Sequence, residues 1–426
     1  MVRTVALRYG GIVLQFVILM ILARRLDPDE YGRYMLVLST VLPTYFLLGL
    51  GVSETFVRDA PALADGTQPD RLNAAVGATL SVASGSAIVV AVGGGLTALL
   101  VPLDPSTMTM LFFVVTFFIA NGLMFNGAQL LLGAGASTLA AFFYYPAVNI
   151  SLMISAVPYV LLAVHPNFHG VAVVTSAAAL VVAALSILLV VRQIRPARFQ
   201  FHTVRDQLRV GVRLSAARGL YAVGVWLPTF IAGVALAPVQ AGFIGTAGRL
   251  AVAVGAVTAA VRFAIRPAIV RASQRQDHQA IKRICGSLAT VTLAIACAAV
   301  LISEIAGRQM ISITFGSEFT PAAPLLTILL IAVAIESFGG PVDEVLKMTG
   351  NENAVLGIFC IALPIATATM FGVAHLGIAA MAWVQVAYTL MVFMAMIFVA
   401  RRRLGIWLHP TVPTAIKVRG RSMLAS

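Results

Sequence analysis

Long apolar stretches, separated by short polar or Gly/Pro breaks, run the whole length of the chain. No Asp, Glu, Lys or Arg occurs from Pro105 to Val191, and the stretches 219–248 and 353–400 are equally free of them. A spanning helix needs about 20 apolar residues to cross ~30 Å of hydrocarbon, so the first of these deserts alone holds three spans joined by tight turns. Setting apolar runs against breaks predicts twelve spans, near 5–23, 34–57, 74–101, 108–132, 138–163, 170–191, 214–236, 241–261, 284–303, 321–340, 354–373 and 376–400. Pro102, Asp104 and Pro105 mark the link after the third span, and His165, Pro166, Asn167 and His169 the link after the fifth. The expected fold class is all-α: a polytopic membrane protein of about twelve transmembrane helices. The first run, Val5–Ala23, lacks a small-residue cleavage site and leads straight into the charged stretch Arg24–Arg33, so it is expected to be a retained span and not a removed signal.

Composition agrees with that pattern. Of 426 residues, 60% are hydrophobic and 11% charged, where a soluble domain carries about 25% charged residues. The net charge of +13 raises nucleic acid as a partner, but the basic residues cluster in the loops between apolar runs. That placement belongs to membrane orientation. With a cytoplasmic amino terminus, 24 of the 29 Lys and Arg fall on the inner side, four (Arg24, Arg25, Arg33, Arg308) on the outer side, and Arg249 inside a span. Both termini are therefore expected in the cytoplasm. Cys285, Cys297 and Cys360 share no metal-type spacing and read as inert core residues. No cofactor is expected.

The most basic loop, 192–213, separates six spans from six, and the two sides carry matching segments. LDPDEYG (26–32) and LAPVQAG (236–242) share Leu, Pro and Gly at an offset of 210; Asn121–Gly135 and Glu336–Gly350 match at an offset of 215, each ending at a glycine before a short polar turn. The expectation is a duplicated architecture. An amino-terminal six-helix bundle (1–191) is followed by a basic cytoplasmic linker (192–213), a carboxy-terminal six-helix bundle (214–400) and a basic tail (401–426). Both halves begin on the cytoplasmic side, so the repeats are parallel, related by an axis along the membrane normal, with a central cavity between them.

The opening ARRLDPDEYGRYMLVLSTVLPTYFLLGLGVSETFVRD (23–59) resembles the first helical hairpin of the bacterial polysaccharide flippases: small-Arg-x-Leu, a Pro and acidic turn, Tyr-Gly-x-Tyr, a Gly-Leu-Gly stretch, then Arg. LAPVQAGFIGTAGRL (236–250) is similar to that family's Gly-x-Tyr-x-x-Ala-x-Arg-Leu segment, departing at Ile244 and Gly248. The resemblance implies a two-bundle transporter of the superfamily that also holds the lipid II flippase and the multidrug and toxin extruders. It implies movement of undecaprenyl-pyrophosphate-linked oligosaccharide across the bacterial inner membrane, with membrane lipids, a polysaccharide polymerase and chain-length proteins as further partners. The lipid II flippases usually have fourteen spans, two more than this chain holds.

Charges within spans are the candidate chemistry, because each costs about 2.5–3.5 kcal/mol at the bilayer centre unless paired or wet. Arg249 reads either as a pyrophosphate contact or as half of a salt bridge with Glu336. Glu54 and Arg58, four apart, read either as a local ion pair or as part of a cationic cytoplasmic mouth that Arg218, Arg262 and Arg266 complete. The second set reads equally as lipid-headgroup anchors. Guanidinium groups suit pyrophosphate because they bind it bidentately. Glu336 and Glu54 are the acidic candidates for ion coupling, whereas Asp343 and Lys347 are spaced as a surface i, i+4 pair. Pro43, Pro158, Pro228 and Pro364 lie inside spans, as packing kinks or as bends for alternating access. Tyr144, Tyr145, Trp226 and Trp383 read as interfacial anchors or sugar platforms. A membrane glycan polymerase or glycosyltransferase needs a sizeable outer loop for its catalytic residues, and the outer links here are short. A multidrug or cation extruder needs acidic groups in its amino-terminal half, and spans one and three to six contain none.

Overall fold

The computed structural model describes residues 2–57, 69–144, 146–193, 201–274 and 277–411. Among them the regular structure is helical. The helices are α1 (Val2–Arg25), α2 (Pro28–Val41), α3 (52–57), α4 (Pro69–Leu100), α5 (Pro105–Gly133), α6 (Ser137–Tyr144), α7 (Pro146–Leu162) and α8 (Phe168–Gln193). They continue as α9 (Phe201–Ala235), α10 (Pro238–Gln274), α11 (His278–Phe315), α12 (Ala322–Phe338), α13 (Val342–Met348), α14 (Glu352–Val373) and α15 (Ile378–Leu404). Every predicted span overlaps at least one helix. Eight of these helices are individually long and apolar enough to cross a membrane, or nine if the bent pair α6–α7 counts as one span. The other three predicted spans correspond to α1, to the α2–α3 region, and to α12, whose 17 residues rise about 26 Å. Large apolar side chains such as Leu99, Leu162 and Ile305 are more than 80% exposed. Apolar surface on this scale needs lipid as its solvent. The protein is an all-α, multi-pass membrane protein.

Breaks occur where the chain cannot stay helical. The second predicted span is interrupted after Val41: Pro43 follows, then a 3₁₀ turn at Tyr45–Gly49, then Leu50 and Gly51 at φ of 47° and 78°. The fifth is carried by two helices, α6 ending at Tyr144 and α7 opening at Pro146, whose axes differ by 47°. Pro158, Pro228 and Pro364, by contrast, sit inside continuous helices. The region expected as a basic linker is helical in its second part, since α9 starts at Phe201.

Packing groups the residues into two units, Met1–Thr246 with Arg308–Ala322, and Ala247–Gly307 with Ala323–Ser426. Gly233 of α9 packs on Leu36 of α2, and Gly245 of α10 on Met35. Arg24 donates from Nε to the Thr314 carbonyl (2.9 Å) and from Nη2 to that of Ile313, tying the end of α11 to the end of α1. Within this first unit, α5 and α8 are stitched by Thr109–His169 (3.0 Å) and Thr116–Ser176 (2.7 Å). Phe56 packs among Val76, Leu130, Leu131, Phe143 and Val190. In the second unit, Ser303 and Thr327 join α11 to α12 (2.9 Å), and Gly340, at φ 57°, lies against Cys285 and Ala289 of α11. After α15 the chain folds back over α11, with Ile406 and Leu408 buried and Thr411 bonded to Gly286 and Thr290.

The second sequence match is visible as geometry. Gly135 and Gly350 both adopt positive φ (82° and 76°) and close the same helix ending. The Ala136 amide donates to Leu131 O (2.9 Å) and that of Asn351 to Leu346 O (2.8 Å), while Gly135 and Gly350 donate to Leu132 and Lys347. Each is a Schellman cap, and all four atom pairs correspond at the offset of 215.

Candidate functional site

Two of the predicted charged residues come together inside the first unit. The left-handed backbone at Leu50–Gly51 turns the chain into α3 directly against α9, where a Cβ on Gly51 would stand 1.9 Å from Gly211 O. Only glycine permits that approach. It sets Glu54 beside Ser215, one turn beyond Gly211, and Arg218, almost two turns beyond it. Glu54 Oε1 lies 2.9 Å from Arg218 Nη1, and Ser215 Oγ donates to Glu54 Oε2 at 2.8 Å. Thr55 Oγ1 donates to Gln207 O (3.3 Å), extending the seam.

The two partners differ in environment. The Glu54 side chain is 8% exposed and that of Arg218 is 43%. The guanidinium also lies over the Phe125 ring, 5.4 Å from its centroid, in cation–π range. Phe125 belongs to a cluster with Tyr45, Phe46 and Tyr144, at centroid distances of 5.7, 6.4 and 5.6 Å. One edge of Arg218 is therefore held by a buried carboxylate and one face by an aromatic ring, and the side chain is still 43% exposed. A rigid, half-open guanidinium of this kind can take an anionic oxygen pair without losing its inner partner.

Arg249 lies on α10 with Nε and Nη2 shielded from solvent, and Glu336 is partly buried near the end of α12; both are engaged in interactions. Arg262 and Arg266 fall on the α10 backbone, but their side chains, like all of Arg58, lie outside the described residues; so does Tyr145. Glu54 pairs with Arg218 of α9; its expected pairing with Arg58 lies outside the described residues. Asp343 and Lys347 do form the expected i, i+4 pair (3.0 Å). Of the three cysteines only Cys285 is buried; Cys297 and Cys360 are exposed on apolar helices. The core reading fails for those two because an apolar neighbourhood in sequence does not separate a lipid-facing position from an interior one. Trp383 is exposed, while Tyr144 packs against Phe125. Ser215 and Phe125 were not legible as site residues: neither stands out in an apolar helix until α9 and α5 are brought together.

These helices and this ion pair define a multi-pass membrane protein with charge organised in its interior, and comparison with known proteins sharpens the class. No family model and no curated protein matches the chain by sequence. Among solved structures, 93% of it is similar to 94% of a multidrug resistance MATE family transporter of the MOP superfamily in an inward-facing conformation, at 14% identity and a TM-score of 0.73. It is also similar over 94% of its length to 88% of the lipid II flippase MurJ in an inward closed conformation, at 9% identity and a TM-score of 0.68. A third, a mutant of the Vibrio cholerae MATE transporter VcmN, is similar at 14% identity over 95% of this chain and 99% of that one, with a TM-score of 0.56. At these identities the likeness is one of fold: the chain has the fold shared by MOP-superfamily transporters.

Proposed function

We propose that this protein flips undecaprenyl-pyrophosphate-linked oligosaccharide from the inner to the outer leaflet of the bacterial inner membrane, by alternating access of two related helical halves. The observation that carries this reading is the state of Glu54. It is the sole acidic residue within the first seven predicted spans, and it is already paired with Arg218 and accepts a hydrogen bond from Ser215. The pair is net neutral, so Glu54 is not a free carboxylate for a cationic drug, while the partly exposed Arg218 guanidinium can still hydrogen-bond a pyrophosphate oxygen. The resemblance at 23–59 and 236–250 points the same way, as does the MurJ-like fold. In this reading Arg218, Arg249, Arg58, Arg262 and Arg266 meet the anionic headgroup, and Glu54 and Glu336 are the groups able to couple an ion.

An ion-coupled extruder of cations is the second reading, favoured by the MATE-like fold and by the buried Glu54 carboxylate. Deleting the gene separates the two. The flippase reading expects loss of surface polysaccharide with lipid-linked repeat units accumulating on the inner leaflet. Unchanged surface glycan, in a strain without a second flippase and with raised sensitivity to cationic compounds, would support the extruder.

A further inference from the structure

We propose that the crossing of α2 and α10 lies on the axis relating the duplicated halves and forms the outer seal of the transport pathway. Gly32 and Gly242 are counterparts in the two matched segments, 210 positions apart, and Met35 and Gly245, three residues beyond each segment, stand at the same offset. Each touches its own counterpart. A Cβ on Gly242 would stand 3.3 Å from Gly32 Cα, and one on Gly245 would stand 3.4 Å from Met35 Cβ. When two elements are related by a twofold rotation, a residue meets its own counterpart only at the axis; elsewhere residue i meets some other residue j. Two counterpart contacts, about one turn apart on both helices, run that axis along the α2–α10 seam. Parallel repeats put it along the membrane normal, and the arginine distribution puts this end outside.

The seam is tight. A Cβ on Gly32 would fall 1.9 Å from Pro238 O and 2.2 Å from its carbonyl carbon, backbone that no rotamer change can move aside. Small residues are what allow two helices in a membrane to come this close. The symmetry is approximate, since Gly242 faces Gly32 and the Tyr31 ring and not the opposite proline. Tyr31, Met35, Ala241 and Ile244 are fully buried there. Phe319, from the turn between α11 and α12, lies edge-on to Tyr31 (5.1 Å) and Phe243 (5.8 Å) and covers the crossing. Thr246 Oγ1 donates to Tyr31 Oη at a long 3.4 Å. Packing of this kind, side chain and backbone in close apolar contact, excludes water. A pathway that opens outward between two halves must separate the counterparts on their axis.

The inference rests on the proposed transport reading, so its test uses no substrate. In a chain with Cys285, Cys297 and Cys360 replaced, the pair Met35→Cys and Gly245→Cys is expected to form a disulfide on mild oxidation, since native bridges have Cβ–Cβ distances near 3.5–4.5 Å. Met35→Cys alone is expected to react with a membrane-impermeant maleimide added outside intact cells, because the side chain is buried until the seal parts. Gly32→Ala, which cannot close against Pro238, is expected to raise that rate several-fold; should it fail to fold, the single cysteine still decides. Absence of the disulfide would remove the counterpart contact. Labelling that is absent, or confined to inverted vesicles, would show a fixed or inward-facing contact and overturn the seal. Failure of lipid-linked oligosaccharide flipping would leave all three readouts untouched.

Discussion

At the scale of single residues, the Glu54–Arg218 pair is asymmetric, and the asymmetry is testable. Removing Arg218 leaves a nearly buried carboxylate with only Ser215 as a described partner; removing Glu54 leaves a guanidinium that water already reaches. Leaving a buried polar group unsatisfied costs about 1–3 kcal/mol, and more when it is charged, whereas a half-exposed ion loses little. Arg218→Ala should therefore lower thermal stability by on the order of 2 kcal/mol and Glu54→Ala by clearly less, with the double substitution recovering much of the loss, as measured by melting in detergent. Equal losses from the two single changes would contradict this account. Arg218→Lys should keep most of the stability but impair transport by about tenfold, because an ammonium cannot reproduce a bidentate contact worth ~1.5 kcal/mol.

Asp104, in the link before α5, offers a pH test. Hydrogen bonds from Ser106 and Thr107 hold its carboxyl well below the usual carboxylate range. A depressed folded-state pKa contributes stability that is present above the unfolded value, near 3.9, and is lost as pH falls through the lower folded value. The difference in melting temperature between the native chain and Asp104→Ala should thus stay constant from about pH 8 to pH 5 and shrink only in stronger acid. A difference that changed around neutrality would point to another group.

At the scale of elements, the paired Schellman caps make the internal repeat a physical statement. Gly135 and Gly350 both have open space around them, so an added methyl meets nothing and the cost of alanine is purely conformational. The left-handed region costs an L-residue about 1–2 kcal/mol. Gly135→Ala and Gly350→Ala should each destabilise by about 1 kcal/mol, and asparagine at either position by less. Unequal responses would mean that the two endings are alike in sequence and not in energetics. Helix breaks divide by the same reasoning. Pro43 and Pro146 stand at interruptions, while Pro158, Pro228 and Pro364 remain within helices. In sequence Pro43 looks like Pro158, Pro228 and Pro364, each inside a predicted span, and nothing singles out Pro146, because whether a proline breaks or bends a helix depends on which neighbouring groups satisfy the freed carbonyl.

At the scale of the whole molecule, hydropathy made the membrane class and the location of every span legible, because lipid imposes a length and an apolar content on each helix. The interior was far less legible. Glu54 and Arg218 are 164 positions apart, and no periodicity encodes a partner at that distance. Gly32 and Gly242 could be matched as counterparts in sequence, but not seen to touch. Exposed Cys297 and Cys360 show the general difficulty: when both the core and the solvent are apolar, pattern alone does not say which face is which. Orientation is a separate expectation resting on arginine placement. Alkaline phosphatase fused within 102–104 or 164–167 should be active, and fused within 194–200 or after 409 inactive; the reverse pattern would invert the topology.

The central claim is that an anionic, lipid-linked sugar is the cargo. Purified protein reconstituted into vesicles, with pyrophosphate-linked oligosaccharide in one leaflet and cationic dye loaded separately, tests it in one preparation. The account predicts that the glycolipid crosses, that Arg218→Ala slows it, and that dye efflux matches protein-free vesicles. Dye efflux with a stationary glycolipid would contradict it.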